Sequence, residues 1–164
     1  NGHLYDNPDT AANIALAPWE HLFVAQLYLL MGDKIKGVAE LEKATAFESE
    51  EKLYLLAAYT YEKLGLDLRA MNELKKVISI NKSSIKGYEA LGGIAFKIGD
   101  YDSAIKWYEK VISLNKKDSI TMSKLAELYE HKGEGDKARE MWERALKYEN
   151  RKEFRGFPGW GPSG

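Results

Sequence analysis

The chain has 164 residues, of which 45% are hydrophobic and 30% charged, with a formal net charge of −1 and no cysteine. This composition is typical of a globular protein with a sizeable core, and its balanced charge argues against a surface for nucleic acid or an anionic membrane. The lack of cysteine excludes disulfides, thiol catalysis and cysteine metal sites. The apolar run at Leu27–Met31 is far shorter than the roughly 20 residues of a membrane span, so we expect no direct membrane insertion.

Residues 1–17 show no periodic apolar pattern and are predicted to form an irregular N-terminal segment. Asn7-Pro8-Asp9 interrupts any regular element there, because proline breaks helices and Asn and Asp favour turns. Pro18 stands where the first helix is expected to begin, since a proline in the first helical turn loses no hydrogen bond. Whether a targeting segment or a further domain precedes this stretch is left open.

From Pro18 onward the sequence repeats in four units, the first of 33 residues and the others of 34. Val77–Lys82 has the sequence VISINK and Val111–Lys116 the sequence VISLNK, and a glycine recurs in the middle of each unit. Each unit holds two apolar stripes at helical spacing, and no segment alternates as a half-buried strand does. The pattern predicts eight helices in a stacked repeat array. The four units are 18–50, 51–84, 85–118 and 119–152, with turns at Met31-Gly32-Asp33, Leu64-Gly65-Leu66, Ile98-Gly99-Asp100 and Lys132-Gly133-Glu134.

Small and large side chains recur at fixed positions of the units. Helices that pack at about 8–10 Å need short side chains at the closest crossings, and larger side chains fill the space between them. We therefore interpret the aromatic residues of this pattern as core rather than as a ligand site. The small positions are Ala25, Ala58, Gly92 and Ala126, then Gly37, Ala70, Ala104 and Ala138, then Ala44, Val77, Val111 and Ala145, and the large ones are Tyr54, Tyr88, Met122, Tyr28, Tyr61, Tyr129, Leu41, Leu74, Tyr108 and Trp142.

This pattern of small and aromatic residues resembles the tetratricopeptide repeat (TPR) over residues 18–152. The third unit, with the sequence YEALGGIAFKIGDYDSAIKWYEKVISLNK, is close to a consensus repeat, whereas the proline that the family carries near the repeat end is absent. The resemblance implies an all-α, right-handed superhelical solenoid of four helix-turn-helix TPR units. Residues 18–152 would then be the TPR domain, between the N-terminal segment and a C-terminal tail.

The C-terminal tail, residues 153–164, is rich in glycine and proline and shows no helical pattern. It nevertheless carries three aromatic residues at intervals of three, whereas a plain disordered tail carries few. We expect these side chains either to pack back on the last repeat, near Trp142 and Leu146, or to enter the groove of a neighbouring molecule. The three residues are Phe154, Phe157 and Trp160.

Nothing in the sequence indicates catalysis, a cofactor or a metal site. The histidines His3, His21 and His131 are scattered, with no second histidine at helical ligand spacing and no HExxH motif. No glycine-rich phosphate loop or nucleophile elbow occurs, and Gly92-Gly93 lies inside a helical pattern, where it indicates close packing. The acidic residues are interspersed with lysines, as on an ordinary solvated surface. We therefore expect that the protein is not an enzyme.

A solenoid of this type has a concave face, which is lined by the first helix of each repeat. In the TPR family the second, fifth, sixth, ninth, twelfth and thirteenth repeat positions face this groove, and in this sequence they change from apolar in the first repeat to charged in the last. Apolar lining favours a partner peptide or helix that is held by hydrophobic anchors. The resemblance implies a partner-binding groove formed by Trp19, Leu22, Phe23, Gln26, Leu55, Tyr59, Lys86 and Phe96.

The lysines and asparagines with which some TPR co-chaperones hold a C-terminal carboxylate are mostly absent, so that clamp is not expected. An exposed apolar stripe at the N-terminal end of the groove would be large for a monomer, and we expect something apolar to cover it. A partner is one candidate. The alternative is that residues 1–17 fold over it through Leu4, Tyr5, Ile14 and Leu16.

The sequence thus predicts a non-catalytic protein–protein interaction scaffold or adaptor, acting in the assembly of a larger complex. The alternative is a self-assembly module that forms homo-oligomers through the groove and the aromatic tail. A third hypothesis, an RNA scaffold, comes from the stretch DKAREMWERAL, which resembles the second helix of half-a-TPR repeats. It is disfavoured by the lack of a basic stripe, so we expect no nucleic-acid partner. The sequence names neither the partner nor the compartment.

Overall fold

The computed structural model describes residues 16–46 and 50–153, with side chains up to residue 149. This part of the chain consists of eight α-helices joined by short turns, and it contains no strand. The predicted number and type of elements are confirmed. The helices are α1 (Pro18–Leu30), α2 (Lys34–Thr45), α3 (Glu51–Lys63), α4 (Asp67–Ile80), α5 (Ile85–Lys97), α6 (Tyr101–Leu114), α7 (Ser119–His131) and α8 (Gly135–Glu153).

The described part of the chain divides into two compact units, a first unit up to Ala57 and a second unit from Ala58 onward, and α3 runs from the first into the second. In the first unit, α1 packs against α2. In the second unit, α4 packs on α5, α5 on α6, α6 on α7 and α7 on α8. Successive helices of the second unit therefore stack in the order of the chain.

The two helices of each repeat are joined by the same kind of glycine turn. In the turn after α5, Gly99 has a φ of +80°, a conformation that residues with a Cβ atom rarely adopt. The Asp100 amide then donates to the Ala95 carbonyl oxygen at 2.9 Å, which is the Schellman closure of a helix C-terminus. The same closure joins Asp33 to Tyr28, Leu66 to Tyr61 and Glu134 to Tyr129 in the other turns.

The residue after each of these glycines decides how the next helix begins. Asp100 accepts a hydrogen bond from the Ser103 amide at 3.1 Å, and Asp33 accepts one from the Lys36 amide at 3.0 Å. Both carboxylates therefore satisfy an amide that the first helical turn leaves without a partner. Leu66 stands at the same place before α4 and makes no such bond, so α4 begins without a side-chain cap.

The small residues of the sequence pattern lie at helix contacts, and all of them are buried, which confirms the prediction. Gly92 shows why the size matters, because a Cβ atom there would lie 2.8 Å from the Tyr108 ring of α6. At the matching place in the second repeat, Ala58 accompanies the smaller Leu74. The residue on the first helix is thus matched in size to the residue on the second.

Most of the large residues of the pattern are buried as predicted, including Tyr61, Tyr88, Tyr108 and Tyr129. Trp142 on α8 is an exception, because 38% of it remains exposed. Its indole Nε1 donates to Glu130 at 3.0 Å at the surface of the α7–α8 pair. The prediction that Trp142 belongs to the core is therefore wrong. Tyr28 on α1 is only half-buried.

Asparagine ends the second helix at two repeat ends, one residue before the position of the missing proline. Asn81 after α4 and Asn115 after α6 each accept a hydrogen bond on the side-chain oxygen from the amide two residues on, so each helix stops there in an Asx turn. Glu149 occupies the matching position in α8, and Glu favours the helix. Helix α8 accordingly runs on to Glu153, which the sequence analysis had assigned to the tail. Neither α8 nor any other helix in the described ranges is both long and apolar enough to cross a membrane.

Candidate functional site

Helix α1 in the first unit is apolar on two sides. One side lies against α2 and buries Leu22 and Ala25. The other side carries large apolar residues three or four positions apart, so they follow one line along the helix. All of them are exposed, and Phe23 is 62% exposed. We call this line the α1 stripe, and it consists of Trp19, Phe23, Leu27 and Leu30.

The packed side of α1 is held to α2 by close contact and by polar bonds. A Cβ atom at Gly37 would lie 2.5 Å from Leu29 Cδ2, so the helices approach closely there. His21 Nδ1 lies 2.6 Å from Glu40 Oε2, and Lys43 donates to Glu40 Oε1 at 2.6 Å. The bond from Lys43, with a smaller contribution from His21, holds the pKa of Glu40 below its ordinary value. The α1 stripe is therefore carried by a helix that is fixed from its other side.

The predicted groove residues of the first unit have different environments. Trp19 and Phe23 belong to the α1 stripe, and Gln26 is exposed beside it. Leu55 on α3 is half-buried. Leu22 is only 3% exposed, so the prediction that it contacts a partner is corrected: it is part of the packed side of α1. Its repeat position faces the groove in the family, but here its side chain is enclosed.

The predicted residues of the second unit are all exposed. Tyr59 on α3 is 58% exposed, and the Lys63 ammonium lies 5.2 Å from its ring centroid. Lys86 lies near the start of α5 and Phe96 near its end. They stand ten residues apart, about 15 Å along the helix. The structure therefore does not bring Lys86 and Phe96 together.

Phe96 belongs to an aromatic cluster that the sequence analysis did not indicate. Its ring centroid lies 5.8 Å from those of Tyr101 and His131. Tyr101 and His131 stack on each other at 5.1 Å. These residues come from α5, α6 and α7, and their sequence separation hides the contact until the helices are stacked.

A second feature of this unit was assigned to the core from the sequence. Tyr108 of α6 is buried, but a Cβ atom at Gly93 would lie 3.7 Å from its hydroxyl oxygen. Gly93 stands at a repeat position that faces the groove in the TPR family, and the hydroxyl lies on the Gly93 side of α5. Two features of the sequence could have indicated this contact. The third repeat carries the pair Gly92-Gly93, and it has Tyr108 where the first two repeats have leucine.

Several predicted residues lie outside the described ranges. They include the tail residues Phe154, Phe157 and Trp160, and the residues Leu4, Tyr5 and Ile14 of the N-terminal segment. Leu16, which was expected to help cover the groove, is exposed. Within residues 16–46 and 50–153 no group of three or more His, Asp or Glu side chains is placed to hold a metal ion.

Comparisons with known proteins agree with this architecture. The tetratricopeptide repeat model matches residues 51–84 and 85–118. A TPR repeat-containing protein of Methanocaldococcus jannaschii is 36% identical over 78 residues, which are 48% of this chain and 14% of that protein. The chain thus spans only a small part of that relative's length.

Two solved structures share the fold at lower identity. The crystal structure of MamA superposes with a TM-score of 0.71 at 23% identity, covering 84% of this chain and 81% of MamA. YrrB, described as a TPR protein with an unusual peptide-binding site, superposes with a TM-score of 0.66 at 18% identity, covering 80% of this chain and 69% of YrrB. These matches confirm the predicted all-α fold of four helix-turn-helix units.

Proposed function

Since the chain is a tetratricopeptide-repeat protein, we propose that it is a non-catalytic protein-interaction scaffold that holds a partner peptide or helix, acting in the assembly of a larger complex. Tetratricopeptide repeats are interaction modules, and the similarity to YrrB, a TPR protein with an unusual peptide-binding site, supports a peptide as the partner class here. The chemistry of the surface supports the same proposal, because it offers apolar anchors rather than reactive groups.

The observation that carries the proposal is the α1 stripe. Four large apolar side chains of one helix are exposed side by side, whereas isolated apolar residues are what an ordinary surface shows. Aromatic residues in such a patch are the usual anchors of protein interfaces, and Trp19 and Phe23 are the aromatic members here. We propose that a partner segment buries these two rings, with Gln26 beside them to hydrogen-bond its backbone.

In the second unit, we propose Tyr59, Lys86 and Phe96 as further contact residues. Tyr59 and Phe96 present apolar rings, and Lys86 presents a charge that a carboxylate of the partner can meet. Leu55, in the first unit, is half-buried, so it offers a partner less surface than the exposed Tyr59 does. The partner class is thus a segment with apolar side chains spaced along a strand or a helix.

A selection from a phage-displayed peptide library tests the proposal without knowledge of the natural partner. We expect the wild-type chain to enrich peptides with two or more large apolar residues. Phe23→Asp should weaken the binding of the enriched peptides by at least about tenfold, because a charge replaces a central anchor.

Ile35→Asp is the matched control, because Ile35 is 85% exposed on α2 in the same unit and lies outside the α1 stripe. It should leave the affinity unchanged. Equal losses for the two variants, or no loss for Phe23→Asp while circular dichroism shows intact helices, would move the binding surface away from α1.

The second candidate function is self-assembly through the groove and the aromatic tail. Trp142 and Leu146 favour it, because both are exposed on α8 close to the tail. Deleting residues 153–164 should then lower the mass that sedimentation velocity reports at high protein concentration. A chain whose mass does not depend on concentration, with or without the tail, would exclude this function.

A further inference from the structure

The hydroxyl of Tyr108 has no hydrogen-bond partner within the described part of the chain. Its side chain is 3% exposed, and buried polar groups are nearly always paired. Other buried tyrosines of this unit follow the rule: Tyr88 donates to the Lys82 carbonyl oxygen at 3.2 Å, and Tyr129 donates to Glu109 at 2.9 Å. The Tyr108 hydroxyl is therefore available for a hydrogen bond to a bound ligand.

The hydroxyl oxygen lies beside α5, 3.7 Å from where a Cβ atom of Gly93 would be, and we call the space that Gly92 and Gly93 leave there the opening. Gly92 and Gly93 on α5 leave room for the ring and for its oxygen, since neither carries a side chain. Lys124 of α7 lies over the ring, with Nζ 5.4 Å from the centroid. The hydroxyl oxygen of Tyr108 keeps some exposure to solvent. A ligand can thus reach it from the groove-facing side.

Two carboxylates accompany this opening, Glu89 from α5 and Glu127 from α7. Burial, followed by the negative charges of Glu89 and Glu127, raises the pKa of Tyr108 to about 12. Neither glutamate makes an ion pair or a hydrogen bond to another residue in the ranges that the structure describes. Both stand at groove-facing positions of their repeats, so both are available to a ligand in the groove.

The other charged groups on the same faces are partly committed elsewhere. Lys97 donates to Asp67 at 2.8 Å, and Glu130 accepts a hydrogen bond from Trp142. Lys86 is exposed at the start of α5, and the ammonium of Lys124 lies over the ring of Tyr108. Glu89 and Glu127 are the charged side chains that raise the pKa of the Tyr108 hydroxyl.

We propose that this opening binds the guanidinium group of an arginine side chain of the partner. The inference rests on the proposed scaffold function and adds the charge of the bound segment. A guanidinium has five N–H donors in one plane, so it can donate to both glutamates and to the Tyr108 oxygen at once. A carboxylate would be repelled by Glu89 and Glu127, and a lysine ammonium offers a single compact charge without the planar fork.

Titration of the full chain with N-acetyl-L-arginine amide, followed by ¹⁵N NMR, tests the proposal. We expect the amide signals of Gly92 and Gly93 to shift with a saturable, millimolar dissociation constant. The neutral isostere N-acetyl-L-citrulline amide should cause no saturable shift, and N-acetyl-L-lysine amide should bind at least threefold more weakly. Equal binding of arginine and citrulline would overturn the proposal.

Variants locate the binding. Glu89→Gln and Glu127→Gln should each weaken arginine binding at least threefold, and Tyr108→Phe, which keeps the ring and its packing, should weaken it about twofold to threefold. Glu143→Gln, on the exposed surface of α8, is the control for overall charge and should have no effect. A loss in Glu143→Gln as large as in the other variants would show diffuse attraction and overturn the site.

This experiment is independent of partner capture. If arginine does not bind while Phe23→Asp still abolishes peptide binding, the arginine site is wrong and the scaffold function stands. If arginine binds but no peptide is selected by the chain, the scaffold function is wrong and the site remains.

Discussion

Helices α1 and α5 occupy the same place in their repeats but present different surfaces. Both end in the same glycine turn and both pack against the helix that follows. Helix α1 exposes large apolar side chains, whereas α5 places Glu89 and Gly93 at groove-facing positions. The comparison shows that a few small residues and one glycine specify the helix pair. The side chains at the remaining positions can vary, and they determine which ligand each helix binds.

The same comparison limits how far a repeat position predicts an environment. Leu22 and Glu89 hold the same repeat position, yet Leu22 is enclosed and Glu89 is half-buried. A leucine turns towards apolar neighbours when it can, and a charged side chain keeps its head in water. Residue chemistry therefore decides which of the family's groove positions remain available in this chain.

The largest expected effect separates two adjacent residues of α1. Leu22→Ala should lower the free energy of unfolding by about 2–5 kcal/mol, because it leaves a cavity in the packed side of the helix. Phe23→Ala should change it by less than about 0.5 kcal/mol, because the ring is largely exposed. Urea denaturation of both variants measures the difference. Similar losses would mean that the α1 stripe is covered in the folded protein.

The fit between α5 and α6 predicts a change of sign. Gly92→Ala should cost about 1 kcal/mol in the wild-type chain, since overpacking against Tyr108 exceeds the gain in helix propensity. In a Tyr108→Leu background, which copies the pairing of Ala58 with Leu74, the same substitution should stabilise the protein. A double-mutant cycle in urea gives the coupling. If Gly92→Ala has the same effect in both backgrounds, the size match between the two helices does not set the packing.

Adding a missing helix cap and removing an existing one should change the stability of the protein in opposite directions. Leu66→Asp should stabilise the chain by up to about 1 kcal/mol, because it supplies the N-cap that α4 lacks. Asp100→Ala should cost about 1 kcal/mol, because it removes the cap of α6. Thermal unfolding compares the two variants with the wild type. If Leu66→Asp destabilises the protein, the packing of the Leu66 side chain contributes more to stability than an N-cap hydrogen bond would.

The smallest effect concerns pH. Hydrogen bonds from the side chain and the backbone of Ser103 lower the pKa of Asp100 from 3.8. A carboxyl whose pKa is lowered by folding stabilises the protein above its unfolded pKa, and this contribution is lost as the pH falls through the folded pKa. Asp100→Asn caps the helix without titrating, so its stability should fall less than that of the wild type between about pH 6 and about pH 3. Parallel pH profiles would show that Asp100 does not contribute.

Much of the fold could be predicted from the sequence because it depends on periodic features. The glycine turns, the small contact positions and the number of helices follow from residues that recur at a fixed interval. The length of α8 could not be predicted in this way, because it depends on one residue, Glu149, that departs from the asparagine of the second and third repeats. The exposure of Trp142 was missed for a related reason. The family pattern assigns this repeat position to the core in every repeat, whether the repeat lies in the middle or at the end of the series.

The candidate site was less predictable than the fold. Trp19 and Phe23 were identified because the resemblance to the TPR family assigns their repeat positions to the groove. The opening at Tyr108 was not, since it depends on a hydroxyl from one helix that reaches past glycines of another. The spacing of residues within one helix gives its faces, but contacts between helices depend on side-chain length and direction.

Photocrosslinking tests the central claim, that the exposed face of α1 holds the partner segment, most directly. p-Benzoylphenylalanine in place of Phe23 should crosslink to a selected peptide on irradiation, and the same group in place of Ile35 should not. Excess unlabelled peptide should suppress the product. Equal crosslinking at both positions, or none at Phe23 while the peptide remains bound, would contradict the claim.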